Sequence, residues 1–242
     1  ITVQSCEDEN FIQKEKITKS EEAKQEEKKW FVNFKSNTTS YEKFPFSQWS
    51  HVMRQVLNSG DEKLLQRMSA NGVLELRFAI CQYLLEFRNM SVAPNQIVVG
   101  SGTEALYTML VQLLGRNSVY AVENPGYKKV ATVFEINGAN YVPINIEKNG
   151  INIGILEASC ANVIHISPSH HFPTGLVMPV RCRGELLDWA AKDENRFIIE
   201  DDYDSEFRYK QHPIPALASL RQDCVIYVST FSKAFLPSLR LS

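Results

Sequence analysis

Short apolar runs alternate with amphipathic stretches through most of this chain, and this alternation limits the choice of fold more than any other feature. Runs typical of buried strands lie at residues 96–99, 118–122, 140–144, 162–166, 197–199 and 225–228. Helical spacing links Trp49, Val52, Met53 and Val56, and further helices are predicted at residues 74–87, 103–114, 126–134 and 183–192. Strands that alternate with helices predict an α/β layered domain with a largely parallel sheet.

The composition excludes several classes of protein. The chain has 242 residues, which is enough for one large domain with its own core. A net charge of −2 does not indicate a nucleic-acid or membrane surface, and no apolar run approaches the roughly 20 residues of a membrane span. The first residues lack the pattern of a signal peptide. The cysteines are odd in number and form no C-x-x-C pair, so we expect reduced thiols in the cytoplasm: Cys6, Cys81, Cys160, Cys182 and Cys224.

The first 29 residues differ from the rest of the chain. Residues 12–29 are rich in Lys and Glu and almost free of apolar side chains, a composition typical of a solvated linker or an exposed helix. We therefore expect a charged linker or N-terminal arm at residues 1–29 and one domain at residues 30–242.

Polar residues follow three of the predicted strands, and the carboxyl ends of parallel strands are where α/β sheets bind ligands. Ser101, Gly102 and Thr103 follow the first strand and open a helix. Backbone N–H groups at a helix N-terminus, two hydroxyls and a glycine form an anion site. The same residues also serve as an ordinary helix cap, so this feature alone leaves both interpretations open.

Five carboxylates lie within seven residues after the strand at 197–199: Glu200, Asp201, Asp202, Asp204 and Glu206. A metal cluster is one interpretation, because hard cations favour carboxylates. A carboxylate directed at a cationic ring nitrogen is a second, and a solvated acidic loop is a third.

Lys233 lies among small and apolar residues after the strand at 225–228. Desolvation of such a lysine would lower its pKa and allow it to form an imine with an aldehyde. The hydroxyls of Thr230 and Ser232 and the guanidinium of Arg240 could hold a phosphate nearby. An ordinary surface lysine is the alternative.

Taken together, the three loops carry the groups that pyridoxal phosphate requires. The cofactor needs a lysine for its aldehyde, a carboxylate for its ring nitrogen and an anion pocket for its phosphate. A dinucleotide site is the competing hypothesis for an α/β sheet, but no G-x-G-x-x-G sequence follows any predicted strand.

The sequence resembles the aminotransferase class I/II superfamily, and most closely the aminotransferase-like domain of MocR/GabR-type bacterial regulators. The resemblance rests on VVGSGTEALYTML (98–110), VENPGYKKV (122–130), ISPSHHFPTG (166–175), FIIEDDYDSEFRY (197–209) and VSTFSKAFLPSLRLS (228–242). It implies the fold-type-I large domain of pyridoxal-phosphate-dependent transferases, a three-layer α/β/α structure, with the small C-terminal domain missing and no metal. The chain then looks like a fragment of a longer gene product or a gene remnant.

The resemblance also implies a role for each matching residue. Lys233 would be the imine-forming, catalytic lysine, Asp201 would pair with the ring nitrogen, and Tyr203 would bond the phenolic oxygen. Tyr127 would stack on the ring, with a packed aromatic as the alternative. The phosphate would be bound by residues at two loops: Gly102, Thr103, Thr230 and Arg240, with Ser101 adjacent.

Several positions depart from the family pattern. Phe172 stands where many aminotransferases have an asparagine donor, and either His170 or His171 could replace that donor or have a structural role. Arg67 lies near the place of a tyrosine that reaches a neighbouring subunit's phosphate, and it could bind phosphate or face water. Lys129 occupies the position of an effector-binding arginine in the GABA-responsive relative.

Two functions share these residues. A transaminase would use Lys233 as a general base, whereas a regulator would use the same imine to sense an amino acid or amine. The motif subtype and the charged linker favour the regulator, which in the family is a homodimer that binds DNA through a winged helix not contained in this chain. Because the family's substrate-binding arginine comes from the missing small domain, we expect no useful transaminase turnover from this chain.

Overall fold

The computed structural model describes residues 31, 41–148, 150–204, 206–207 and 215–242. The chain divides into two units, Ile1–Asn37 and Thr38–Ser242, and the elements of the fold belong to the second. The predicted linker at residues 1–29 lies outside the described residues. Among those residues, no helix is both long and apolar enough to cross a membrane.

Helices and strands alternate along the described chain as the sequence predicted. The helices are α1 (Phe46–Asn58), α2 (Leu74–Arg88), α3 (Thr103–Leu114), α4 (Lys128–Ile136), α5 (Ile153–Ala158), α6 (Val180–Ala191), α7 (Leu217–Leu220) and α8 (Phe231–Ala234). The strands are β1 (Val119–Asn124), β2 (Asn140–Glu147), β3 (Gly150–Ile151), β4 (Val163–Ile166), β5 (Phe197–Asp201) and β6 (Val225–Val228).

The strands form one sheet in the order β3-β2-β1-β4-β5-β6, and only the short β3 pairs antiparallel. The chain builds outwards from β1 to β3 and then returns to the other side of β1 to form β4. The strand order therefore reverses between β1 and β4. In open α/β sheets, a crevice that binds ligands lies at the carboxyl ends of the strands at such a reversal.

Side chains that alternate along each strand serve two separate hydrophobic cores. On β1, Tyr120 and Val122 belong to a core built with α3 and α4, whereas Ala121 belongs to a core built with α2, α5, α6 and α7. β5 shows the same alternation, with Ile199 in the first core and Ile198 in the second. The sheet is thus covered by helices on both faces, which confirms the predicted three-layer α/β/α domain.

The predicted strand at residues 96–99 was wrong. Pro94–Gln96 is a single 3-10 turn, and residues 97–100 have no regular structure. The segment is nevertheless extended against other chain segments, since Val99 N–H donates to Asn71 O and Gly100 and Ser242 exchange both backbone hydrogen bonds. One reciprocal pair of backbone hydrogen bonds is too few to form a strand pairing. The apolar run is therefore not a strand of the sheet.

Helix α1 forms where the spacing of Trp49, Val52, Met53 and Val56 predicted it, but no residue of this helix is buried. Val52, Met53 and Val56 are each about half exposed. Helix α2 was also predicted correctly, and its Leu84 enters the core. The amphipathic pattern of α1 therefore defines an apolar face that the described residues leave open.

Candidate functional site

Asp201 ends β5 at the carboxyl edge of the sheet and is buried. Its Oδ2 atom accepts a hydrogen bond of 2.8 Å from the hydroxyl of Tyr107 on α3. Its Oδ1 atom is buried and has no hydrogen-bond partner among the described residues. A buried carboxylate oxygen without a donor is costly, by about 1–3 kcal/mol or more, so this atom is poised to meet a donor from a ligand.

The other acidic residues of this stretch each have partners of their own. These partners explain the cluster of five carboxylates, for which the sequence left three interpretations. Glu200 points to the opposite face of the sheet and accepts from the N–H groups of Leu217 and Ala218, both at 2.9 Å. The remaining carboxylates are bound by other side chains: Asp202 by Arg88 and Tyr227, Asp204 by His170 and Glu206 by Tyr83. Neither a metal cluster nor a solvated loop is needed to explain them.

Two further buried groups surround Asp201, and the sequence did not single them out. His165 on β4 lies with Nε2 3.1 Å from the Tyr107 hydroxyl and 3.6 Å from Asp201 Oδ2. Glu123 on β1 accepts from Ser167 N–H at 3.0 Å. Burial raises the pKa of Glu123 to about 8, with the charge of Asp201 adding to the effect, so Glu123 is mostly neutral at pH 7.

The phosphate-binding residues that the resemblance implied meet at the N-terminus of α3. Gly102 caps this helix with φ 105° and ψ 159°, and within the described chain no side chain caps it. The Arg240 guanidinium lies directly over Gly102, because a methyl group added to this glycine would be 2.8 Å from Arg240 Cζ. The partial positive charge at the N-terminus of the twelve-residue helix α3 and the charge of the Arg240 guanidinium therefore lie at the same place.

The neighbouring hydroxyl and backbone groups are arranged around this corner. Thr103 is the first residue of α3, and Ser101 precedes the cap and is exposed. Thr230 is buried and caps α8, where its hydroxyl accepts from Ser232 N–H at 3.1 Å and lies 3.2 Å from the Leu241 carbonyl oxygen. Thr230 therefore holds α8 against the segment that carries Arg240.

Lys233 lies on the short helix α8, just after β6. Its side chain is exposed, whereas the sequence argument expected desolvation among apolar neighbours. Four residues of helix at the edge of the domain provide too little structure to bury a lysine. The position after β6 is as predicted, but the burial is not.

Tyr127 borders a cavity of about 550 Å³ at the reversal between β1 and β4, together with Glu123, His165 and Phe172. The Tyr127 ring packs edge-to-face on Phe172, with centroids 5.9 Å apart. Its neighbour Lys129 pairs with Glu104 of α3 at 2.9 Å, and both side chains of this pair are largely exposed.

Tyr203 and the two histidines form a second group beside this edge. The Tyr203 hydroxyl donates to the His170 carbonyl oxygen at 2.9 Å. His171 Nδ1 lies 2.7 Å from Thr174 Oγ1, its Nε2 lies 3.6 Å from Glu123, and burial lowers the pKa of its imidazole. Arg67 is exposed, so its predicted alternatives stay open.

Solved structures share this architecture. The crystal structure of an archaeal alanine:glyoxylate aminotransferase superposes with a TM-score of 0.76 and 24% identity, over 85% of this chain and 53% of that one. The fold is that of the large domain of fold-type-I transferases. Residues 29–241 match the family described as Aminotransferase class I and II, and the chain belongs to this family.

Two bacterial regulators are similar in sequence over most of the chain. The uncharacterized HTH-type transcriptional regulator YdeL of Bacillus subtilis is 39% identical over 90% of this chain and 47% of its own length. The probable rhizopine catabolism regulatory protein MocR of Rhizobium meliloti is 32% identical over 82% of this chain and 40% of its own length. The chain thus spans less than half the length of either regulator.

Proposed function

We propose that this domain binds pyridoxal phosphate and senses an amino compound as part of a MocR-type transcriptional regulator. The observation that carries the proposal is the buried Oδ1 atom of Asp201, which has no partner within the described chain and lies at the ligand-binding edge of the sheet. A protonated ring nitrogen is a donor that matches a carboxylate at this place.

The remaining residues fit the cofactor as well. The N-terminus of α3 and Arg240 would hold the phosphate, and the Tyr127 ring borders a cavity of about 550 Å³ that Glu123 and His165 also line. Lys233 is an exposed residue that follows β6. When bound, the cofactor supplies an aldehyde that condenses with amines. Lys233 would hold that aldehyde until an amino compound replaced it, and Asp201 would keep the ring nitrogen protonated.

Sensing is favoured over transamination by the relatives. Over the aligned residues the regulators are 39% and 32% identical to the chain, whereas the aminotransferase of known structure is 24% identical. The site residues serve either function equally, so they do not decide between the two. The proposal therefore rests on sequence similarity for the sensing function and on geometry for the cofactor.

The cofactor is tested by chemical trapping. The chain is incubated with pyridoxal phosphate, reduced with borohydride and digested, and the labelled peptides are identified by mass. We expect the label on Lys233 in the wild type and its loss in Lys233→Ala. Lys192→Ala is the matched control, because Lys192 is also an exposed lysine but lies at the end of α6. Equal labelling of the chain in Lys233→Ala would refute the assignment.

A second assay separates sensing from transamination. Candidate amino acids and amines are added to the cofactor-loaded chain, and both thermal stability and keto-acid formation are measured. A compound that raises the melting temperature without keto-acid formation supports sensing. Keto acid produced much faster than by free pyridoxal phosphate would establish the transaminase instead.

Two further properties belong to this proposal. The open apolar face of α1, formed by Val52, Met53, Val56 and Leu57, fits a second copy of the chain in a homodimer, which sedimentation would detect. A cytoplasmic location agrees with the cysteines, since those within the described residues are unpaired: Cys81, Cys160, Cys182 and Cys224.

A further inference from the structure

We propose that Tyr107, supported by His165, is a positioning residue that fixes the Asp201 carboxylate with Oδ1 directed at the ring nitrogen of the cofactor. The inference rests on the proposed function and assigns a role to two side chains that the family resemblance did not include.

The contacts of Asp201 are one-sided. Both neighbouring groups, the Tyr107 hydroxyl at 2.8 Å and the His165 Nε2 at 3.6 Å, approach Oδ2. Oδ1 has no partner among the residues that the structure describes. A carboxylate bound only through one oxygen is held in a single orientation and keeps the other oxygen available. This geometry differs from that of Glu200, whose two oxygens both accept backbone hydrogen bonds.

The direction of the hydrogen bonds follows from the donors present. An ionised carboxylate only accepts, so the single proton of Tyr107 is donated to Asp201. The 3.1 Å contact between Tyr107 and His165 then requires that His165 Nε2 carries the proton. His165 thus donates to Tyr107 and Tyr107 donates to Asp201, and each bond polarises the next. Burial, reinforced by Asp201, raises the pKa of Tyr107 well above its usual value, so the phenol stays protonated.

The location of Tyr107 adds a second constraint. Tyr107 and Thr103 are four residues apart on α3, so they lie on one face of the helix, about 6 Å apart along its axis. The same helix therefore presents its N-terminus to the phosphate site and a hydroxyl to Asp201. This arrangement fixes the separation between the two ends of the cofactor.

The neighbouring carboxyl group of Glu123 adds little negative charge beside Asp201. Glu123 is buried beside this group, and because its pKa is raised to about 8 it carries little charge at pH 7. Asp201 accepts from the Tyr107 hydroxyl through Oδ2, and its Oδ1 has no partner among the described residues.

The test uses the chain loaded with pyridoxal phosphate labelled with ¹⁵N in the ring. The dissociation constant of the cofactor and the ¹⁵N chemical shift are measured for Tyr107→Phe. Tyr120→Phe is the matched control, because Tyr120 is an equally buried tyrosine whose hydroxyl, among the described residues, bonds the Gly115 carbonyl oxygen alone, at 3.0 Å. Asp201→Asn is the reference for loss of the carboxylate.

We expect Tyr107→Phe to weaken cofactor binding roughly tenfold and to move the ¹⁵N shift from the protonated towards the unprotonated value, because a hydrogen bond to the carboxylate is lost. Tyr120→Phe should change neither quantity. The ¹⁵N shift reports the ring nitrogen directly, so a purely structural role of Tyr107 would leave it unchanged. Should Tyr107→Phe not fold, His165→Gln provides the same comparison, with a smaller shift in the same direction.

The outcomes separate the two proposals. If Asp201→Asn impairs binding and shifts the ¹⁵N signal while Tyr107→Phe behaves like Tyr120→Phe, the positioning role is refuted and the cofactor site stands. If the wild type does not bind the cofactor, or if Asp201→Asn behaves like the wild type, the cofactor site itself is refuted.

Discussion

Replacing Gly102 with alanine should have two separate effects, a loss of stability from backbone strain and a loss of cofactor affinity at the phosphate site. Gly102 has φ 105° and ψ 159°, a region that essentially only glycine adopts. An alanine there should destabilise the fold by about 1–3 kcal/mol. In a domain of this size each kcal/mol lowers the melting temperature by roughly 2–4 °C.

The same alanine also collides with Arg240. The added methyl group would lie 2.8 Å from Arg240 Cζ and 3.3 Å from Nε, so the guanidinium must move away from the end of α3. This movement is easy, because Arg240 is a flexible and exposed side chain, so it adds little to the stability loss. The displacement of the guanidinium should instead weaken the binding of the cofactor. Loss of one solvent-screened, charge-assisted contact to the phosphate weakens binding about tenfold.

Gly115→Ala provides the control, because Gly115 ends the same helix with φ 97° and ψ 142°. Within the described part of the chain, a methyl group there would contact Ser118 Oγ alone, at the ordinary distance of 3.9 Å. Both variants should lose similar stability in urea unfolding, but only Gly102→Ala should bind pyridoxal phosphate more weakly in a fluorescence titration. In an Arg240→Ala background, Gly102→Ala should cost no further affinity. Equal cofactor affinity in the two glycine variants would refute the placement of Arg240 at the phosphate.

Two other predictions concern buried charge. Burial raises the pKa of Glu123 from 4.5 to about 8, so the folded state holds this proton more tightly and stability falls as pH rises from about 4.5 to 8. Glu123→Gln should flatten that decline, by at most about 1.4 kcal/mol per pH unit in urea titrations, and an unchanged slope would contradict the assignment. Arg88 pairs with the buried Asp202, so Arg88→Met should cost about 3–5 kcal/mol by leaving a buried charge unpaired. Adding Asp202→Asn should recover part of the loss in calorimetry, and a double variant no more stable than the single would argue against the pair.

The strands were predictable where both faces are buried. The run at residues 197–199 marks β5 because consecutive apolar side chains fill cores on opposite sides of the sheet. The run at residues 96–99 has the same composition but lies beside the sheet, and composition alone does not show whether a neighbouring strand is available. The two-residue strand β3 and the short helix α7 contain too few residues for any periodicity.

The candidate site was predictable where a residue stands at the end of a strand or at the start of a helix. Asp201 ends β5 and Gly102 caps α3, and their type already suggested a carboxylate partner and an anion-binding turn. Tyr107 and His165 lie inside a helix and a strand, where their neighbours make them resemble core residues. The spacing of four residues from Thr103 to Tyr107 places both on one face of the helix. This indicates a role at the site only once the position of β5 beside that face is known. The exposure of Lys233 could not be foreseen, because it depends on how little structure surrounds α8.

The strand order has a consequence for how the domain folds. β4 pairs with β1 across an intervening stretch of chain that contains β2 and β3, and the Tyr107–Asp201 bond joins residues 94 positions apart. Such non-local parallel pairings form slowly, because the entropy of closing long loops is lost before the contacts are gained. We therefore expect the carboxyl edge of the sheet to be among the last parts of the chain to assemble during folding. A ligand that binds there recognises the completed sheet. The rate at which such a ligand binds during refolding would therefore report the rate of the final long-range pairing.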